Sequence, residues 1–449
     1  MHRQYQTMWL ILLMTPLIAQ ERKLNRPCYV SIQISGMGYE AVNELKADPR
    51  IQWWVELEDQ LMVRTNRLFL PLPGGRILPV AVAEDRLIFA AAHETKLAEL
   101  NGQVLAIGGR LALVQMAERL DPAELTHAFA GAGEAHAHGH WLPFQANTVL
   151  ACRNENMPSR KLPAKRDQIT DLLDQIDPYR WFASMYKLAC FNRFSFGDEI
   201  IPARDWLVGQ FQALGLETSL QPFPNWNGID RVTVTNHNVI AVLPGTERPD
   251  EYYIVGAHYD SRASSHGQSL GTAPGAEDNA SGVAAVLEMA RLFVNNPPKA
   301  TIFFIGYSGE EQYLIGSRYH TQATIDTGEG PNYRGILVMD MIAYSSDDDY
   351  NILLETSSAQ ADLANTFADA AANYTDLNIS TSYNYFGSDH EPYLNQSLPA
   401  LLVIQNEWNT YPGYHRTTDV SEWLGWEQGL EVLKMNVAAL VEMMENPQQ

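Results

Sequence analysis

Two rhythms of apolar and polar positions run along this chain. From about residue 166 onward, short and almost wholly apolar runs alternate with longer stretches whose apolar residues recur every three or four positions. HNVIAVLPG (237–245), YYIVGAHYD (252–260), ATIFFIGYSG (300–309), GILVMDMIAY (335–344) and PALLVIQNEW (399–408) are predicted strands. SGVAAVLEMARLFVNN (281–296) is a predicted helix, with Val283, Val286, Leu287, Ala290 and Phe293 on one face. Helices are also predicted for 168–191, 203–215, 311–320, 359–374 and 428–444. Strands this uniformly apolar are covered on both faces. Strand and helix in alternation predict an α/β fold, with a doubly wound, mostly parallel central sheet and helices on both faces.

Residues 27–117 carry the other rhythm. YVSIQIS (29–35) and IQWWVEL (51–57) are predicted strands on either side of a helix in YEAVNELKADP (39–49). RLFLPLPGG (67–75), DRLIFAAA (85–92) and GGRLALVQM (108–116) continue the strand-like runs. The expected organisation is a signal peptide over 1–20, a small α+β domain over 21–150, a linker over 151–165 and the α/β domain over 166–449. Trp9 to Ala19 is an apolar run too short to span a bilayer, and Ala19 ends it as a cleavage site would. A secreted or periplasmic protein follows, with no stable membrane insertion.

The 449 residues carry 31 Lys+Arg and 53 Asp+Glu, a net charge of −22. That balance argues against a nucleic-acid partner, which needs a basic face. The cysteines Cys28, Cys152 and Cys190 make neither a disulfide framework nor a zinc-thiolate cluster. One bridge, Cys152–Cys190, fits an oxidising compartment. His136, His138 and His140 alternate in a Gly/Ala-rich stretch that reads as a loop. Arg160, Lys161, Lys165 and Arg166 form the one basic cluster, suited to an exposed linker and to processing.

Chemistry-bearing residues collect after the apolar strands. His258 and Asp260 end one strand, Glu310 and Glu311 follow another, and Asp340 lies in a third. Asp278 precedes the 281–296 helix, and His415 and Asp419 follow the last strand. In open α/β sheets ligands bind at the carboxyl ends of strands. Each residue alone has an ordinary structural reading, as a helix-start acid or a buried histidine. Together they bury several carboxylates, which is costly without cations. Nitrogen and oxygen donors without thiolates suit zinc or another divalent metal.

At these residues the chain resembles the di-zinc aminopeptidase family that includes secreted bacterial leucyl aminopeptidases, with glutaminyl cyclases as relatives. The resemblance rests on HYDS (258–261), APGAEDNASGVAAVLE (273–288), GEEQYLIGS (309–317), VMDM (338–341), SDH (388–390) and YHRTTD (414–419), in that order. LACFNRFSF (188–196) and 203–217 resemble the helical lead-in of the leucyl aminopeptidase branch. The resemblance covers about 166–447 and implies a zinc-dependent aminopeptidase with two Zn2+ ions and peptide substrates. It implies that Asp278 bridges the ions, that Glu311 and His415 complete one shell, and that His258 and Asp340 complete the other. Glu310 is then the general base toward the attacking water, Asp260 orients His258, and Tyr385 helps stabilise the oxyanion. Bulky apolar first residues are the expected preference, with Met341, Ile342, Tyr411 and Tyr414 as candidate pocket residues. The family's cysteines flanking that tyrosine are missing here, and Tyr414 stands where cyclases tend to carry Trp. Two alternatives remain, a glutaminyl-peptide cyclase and a non-catalytic metal-binding relative. Residues 21–150 have two readings, an inhibitory propeptide and a permanent accessory domain.

Overall fold

The computed structural model describes residues 27–37, 39–66, 72, 74–91, 101–108, 111–118, 141–144, 146–152, 168–227, 232–264, 272–346 and 349–445. The apolar run at 9–19, the histidines at 136–140 and the basic cluster at 160–166 lie outside the described residues. Among the described residues, no helix is long and apolar enough to cross a membrane.

The N-terminal region holds two small sheets. Strands β1 (Pro27–Gln33), β2 (Ile51–Glu58), β3 (Gln60–Asn66), β4 (Gly75–Ile77) and β9 (Thr148–Cys152) form one, in the order β4-β1-β3-β2-β9. The other is β6-β7-β5-β8, from β5 (Leu87–Ala91), β6 (Gly102–Gly108), β7 (Leu111–Met116) and β8 (Trp141–Pro143). Helix α1 (Tyr39–Lys46) follows β1, as its pattern predicts. Trp53, Val55, Leu57 and Phe89 belong to one continuous apolar cluster that runs on into the large sheet. Cys28 is buried and Cys190 exposed, and both are free thiols, so the expected Cys152–Cys190 bridge is not formed.

The large sheet has eight strands, β10 (Glu217–Asn227), β11 (Val232–Leu243), β12 (Arg248–His258), β13 (Ala300–Tyr307), β14 (Tyr333–Asp340), β15 (Asn351–Glu355), β16 (Asn378–Ser382) and β17 (Ala400–Gln405). Their order is β10-β11-β13-β12-β14-β17-β15-β16. The centre, β13-β12-β14-β17, is parallel. β11 joins it antiparallel to β13, and β15 antiparallel to β17, so the sheet is mixed, with the parallel part at its heart. β10 was not evident in the sequence because Pro222 and Pro224 interrupt it. As an edge strand it tolerates both.

Helices flank the sheet: α2 (Gln168–Leu173), α3 (Pro178–Ala189), α4 (Ile200–Ala213), α5 (Gly282–Asn295), α6 (Ile315–Asp326), α7 (Ala361–Tyr374), α8 (Glu391–Asn395) and α9 (Glu427–Glu445). The single helix predicted over 168–191 is two. Asp177 caps the second by accepting from the N–H groups of Tyr179 and Arg180, and Pro178 takes its first position. α5 is buried along nearly its whole length and packs on β12, β13 and β14. This fixes Asp278, just ahead of it, over the carboxyl ends of those strands.

Candidate metal and catalytic site

His258 ends β12 and Asp340 ends β14. The register that pairs Gly256 with Val338 carries these two side by side. Beyond β13 the chain turns at Gly309, whose φ of +69° is the left-handed region open to glycine, into a short 3-10 turn holding Glu310 and Glu311. Asp278 comes from the loop after Gly275, where φ is +52° and a Cβ would lie 2.2 Å from the Asp278 carbonyl oxygen. His415 arrives from the loop after β17, itself at φ +50°, and Met341, next to Asp340, stands at +53°. Non-glycine residues are held in that region only where their surroundings enforce it, and such positions gather at functional sites.

The side chains converge in two sets that share one carboxylate. His258 Nε2 lies 3.4 Å from Asp278 Oδ1 and 3.4 Å from Asp340 Oδ1. His415 Nε2 lies 3.0 Å from Asp278 Oδ2 and 3.3 Å from Glu311 Oε2. Asp278 thus turns one oxygen to each set. Glu310 Oε2 approaches His258 Nε2 less closely, at 3.9 Å. Donors bonded at about 2.0–2.1 Å around a tetrahedral zinc stand ~3.3 Å apart, so both sets have the spacing of a zinc shell. His258 Nε2 and Asp340 Oδ1 are buried with no hydrogen-bond partner. Oriented nitrogen and oxygen donors of this kind fit a divalent metal.

Electrostatics agree. Burial alone would lower the His258 pKa, but the Asp340 and Glu310 carboxylates reverse this and raise it well above the imidazole norm. Burial would raise the Asp278 pKa, but the facing imidazoles of His258 and His415 outweigh it and hold the group well below the usual carboxylate range. Glu310 is pushed well above that range by burial, and Glu311 and Asp340 add to the push against the pull of His258. A cation relieves all three conflicts at once.

The supporting groups are equally specific. His258 Nδ1 is 3.1 Å from the main-chain oxygen of Asp260, which leaves Nε2 facing the site. Asp260 meets Nδ1 with its carbonyl and, at 3.6 Å, with its carboxylate Oδ1. Its carboxylate accepts from Ser195 Oγ at 2.8 Å and from the N–H groups of Glu310 and Glu311 at 3.3 and 3.4 Å, steadying the acidic turn. Ser388, in the SDH motif, donates to Asp340 Oδ2 at 2.7 Å. Arg262 pairs with Glu311 Oε2 at 2.6 Å and stands 2.8 Å from His415 Nδ1.

Arg193 was not evident as a support in the sequence, and neither was the bracing role of Asp419. Arg193 is fully buried and donates to main-chain oxygens of Leu188, Tyr259, Pro274 and Gly275, tying the Asp278 loop to the end of β12. Asp419 accepts from the N–H groups of Glu277 and Asp278 and from the Tyr411 hydroxyl, at 2.9, 3.0 and 2.7 Å. The sequence singles out Asp419 as the acid that closes YHRTTD, and the fold shows what it braces. Asp419→Ala leaves three buried donors unsatisfied and is expected to cost about 2–4 kcal/mol. Denaturant melts check this, and a loss below about 1 kcal/mol would remove the brace.

A cavity opens at Asp278, Glu310 and Asp340, and Met341, Phe386, Leu402, Ile404, Trp408 and Tyr414 help to wall it. Of the four expected pocket residues, Met341 and Tyr414 line it. Ile342 and Tyr411 are instead buried, the latter on Asp419. Tyr385 donates to Asn395 Oδ1 at 3.2 Å, while its neighbours Phe386, Gly387 and Ser388 face the cavity. The segment lacks cysteines, but Asn384 fastens it by donating to Ala146 O and, at 2.6 Å, to Thr148 Oγ1 of the N-terminal region.

Residues 238–441 match the model of peptidase family M28. A probable zinc metalloprotease of Pyrenophora tritici-repentis is 28% identical over 63% of this chain and 77% of its own length. A probable zinc metalloprotease of Pyrenophora teres f. teres is 35% identical over 41% of this chain, and the match spans 42% of that relative. In fold, the chain resembles an aminopeptidase from Aneurinibacillus sp. strain AM-1 (TM-score 0.53, 18% identity, 62% of this chain and 96% of that one). It also resembles the LapA aminopeptidase of Legionella pneumophila (TM-score 0.53, 18% identity, 81% and 99%).

Proposed function

We propose that this chain, a member of peptidase family M28 through residues 238–441, is a zinc-dependent aminopeptidase that removes the first residue of peptides. The observation that carries the reading is Asp278, whose two oxygens face two donor sets beside a cavity with apolar walls. His258 and Asp340 would hold one ion, Glu311 and His415 the other, with Asp278 between them. When bound, two such ions would supply Lewis acidity to the scissile carbonyl and lower the pKa of the attacking water to about 7.

The protein's own groups do the rest. Glu310 lies beside His258 and Asp340 and takes a proton from the attacking water at its carboxylate. Burial keeps that carboxylate basic enough to hold the proton and then deliver it to the leaving nitrogen. The turn that Asp260 steadies fixes where Glu310 points. Oxygens of Asp340 and Glu310 at the cavity mouth suit a free α-ammonium, which favours an exopeptidase over an endopeptidase. For Tyr385 to support the oxyanion, its hydroxyl trades Asn395 for substrate. The apolar walls accept a bulky first side chain. The run at 9–19 supports export, and the basic cluster at 160–166 supports processing ahead of the catalytic domain.

An aminoacyl-anilide panel, run with and without chelator, tests the reading. The expected result is turnover that a chelator abolishes and zinc restores. Full activity in a metal-free preparation would end the proposal. The fold is also like that of a glutaminyl cyclase from Fimbriiglobus ruber (TM-score 0.50, 19% identity, 59% of this chain and 95% of that one), so peptides with N-terminal glutamine belong in the panel. Cyclisation without anilide cleavage would assign the site to the cyclase reaction.

A further inference from the structure

One carboxylate in the cavity has no part in the chemistry above. Glu355 ends β15, is 2% exposed, and lines the cavity with the apolar walls. Strand register puts it there. Asp340 on β14 pairs with Ile404 on β17, and Val338 pairs with Leu402. Leu402 in turn pairs with Glu355 on β15. Paired residues, and residues two apart on a strand, point to the same face of a sheet. Asp340, Ile404, Leu402 and Glu355 therefore share one face. Glu355 is two strands across and two residues along from Asp340. With strands about 4.8 Å apart and about 3.3 Å per residue, the two Cα positions are about 12 Å apart. Between them lie Leu402 and Ile404, with Phe386 and Trp408 also on the cavity wall.

Burial pushes the Glu355 carboxyl well above the usual carboxylate range, and no charged side chain among the described residues offsets it. Its Oε2 is buried without a hydrogen-bond partner. The Phe386 N–H supports the group but brings no charge. The His390 Nε2 stands 4.0 Å away, and burial lowers that imidazole to about 3, so it is neutral. An acid kept dry at the far end of an apolar slot holds its proton until a cation comes beside it, and a cationic ligand would supply one.

We infer that Glu355 selects the substrate: the cavity takes a first residue with a long aliphatic stem and a cationic end, lysine or arginine. The stem lies along Leu402, Ile404, Phe386 and Trp408, as long basic side chains lie on apolar surface. The ammonium or guanidinium meets the Glu355 carboxylate, which accepts charge-assisted hydrogen bonds. The apolar walls suggest a bulky apolar first residue; the acid beyond them shifts the preference to a basic one. The inference rests on the aminopeptidase reading.

The test compares kcat/KM for lysine, arginine and leucine anilides on the zinc-loaded full chain and on its Glu355→Gln and Glu355→Leu variants. The unmodified chain is expected to favour lysine and arginine over leucine at least ~10-fold. Glu355→Leu inverts that order, with the basic substrates losing ~10- to 100-fold, the range of a hydrogen-bonded charge. Glu355→Gln keeps the shape and loses part of the preference, which guards against misfolding in the leucine variant. A chain that favours leucine over lysine, or variants that leave the ratio unchanged, overturns the role of Glu355 alone. A zinc-loaded chain that cleaves none of the three anilides overturns the aminopeptidase reading, and this inference with it.

Discussion

Glu310→Gln is expected to leave the protein folded, with its metal content unchanged, and to lower kcat by about a thousand-fold. The change keeps the volume and polarity of a fully buried side chain, so packing is undisturbed. What it removes is the only proton-accepting form of the group. General-base catalysis is worth ~10²–10⁴ in rate, and the upper part of that range applies where the same group also returns the proton to the leaving amine. Glu310 is the acid of the cluster farthest from His258 among its recorded partners, at 3.9 Å, so its loss should spare the donor sets. Zinc analysis alongside steady-state kinetics reads both halves. Retained activity above a few percent removes Glu310 as the base, and lost zinc makes it a ligand.

Asp278→Asn is the second large effect, and it is expected to empty both metal positions together. An amide offers one oxygen of weak donor strength where the carboxylate offers two charged ones. Asp278 meets His258 through Oδ1 and His415 through Oδ2, so neither set is complete without it. The main chain at this position is held independently by Asp419, which limits the damage to the site. Metal that binds the folded state stabilises it by mass action, about 4 kcal/mol at a thousand times its dissociation constant. The variant should therefore melt at the temperature of the chelated protein, and adding zinc should not raise it. Loss of one ion with retention of the other would show that Asp278 serves a single set.

How much of this was legible in the sequence differs from residue to residue. His258, Glu310, Glu311 and Asp340 stand out because each interrupts or follows a very apolar strand, and a polar residue there has few structural reasons to exist. Asp278 is legible as an acid just before a uniformly apolar helix. The parallel heart of the sheet follows from the same alternation. The antiparallel placement of β15 does not, because pairing partners are set by contacts some fifty residues apart, such as Leu353 with Ile404. Glu355 was hidden for that reason. No strand is predicted for NILLETSS, and only the register of three strands reveals that Glu355 shares a face with Asp340. Arg193, and the bracing role of Asp419, were hidden differently. Their partners are main-chain groups, which leave no mark on residue identity.

Asn384 couples two regions that the sequence treats as separate. The segment that brings Phe386, Gly387 and Ser388 to the cavity is fastened to Ala146 and Thr148, beside a core shared across both regions. Coupling of this kind is reciprocal: a ligand that favours the ordered wall must, by the same free energy, favour the seated N-terminal sheet. A cut in the 153–167 connection would break the chain without breaking that bond. The N-terminal region would then leave or stay according to what fills the cavity, so substrate supply itself would set how long it remains attached.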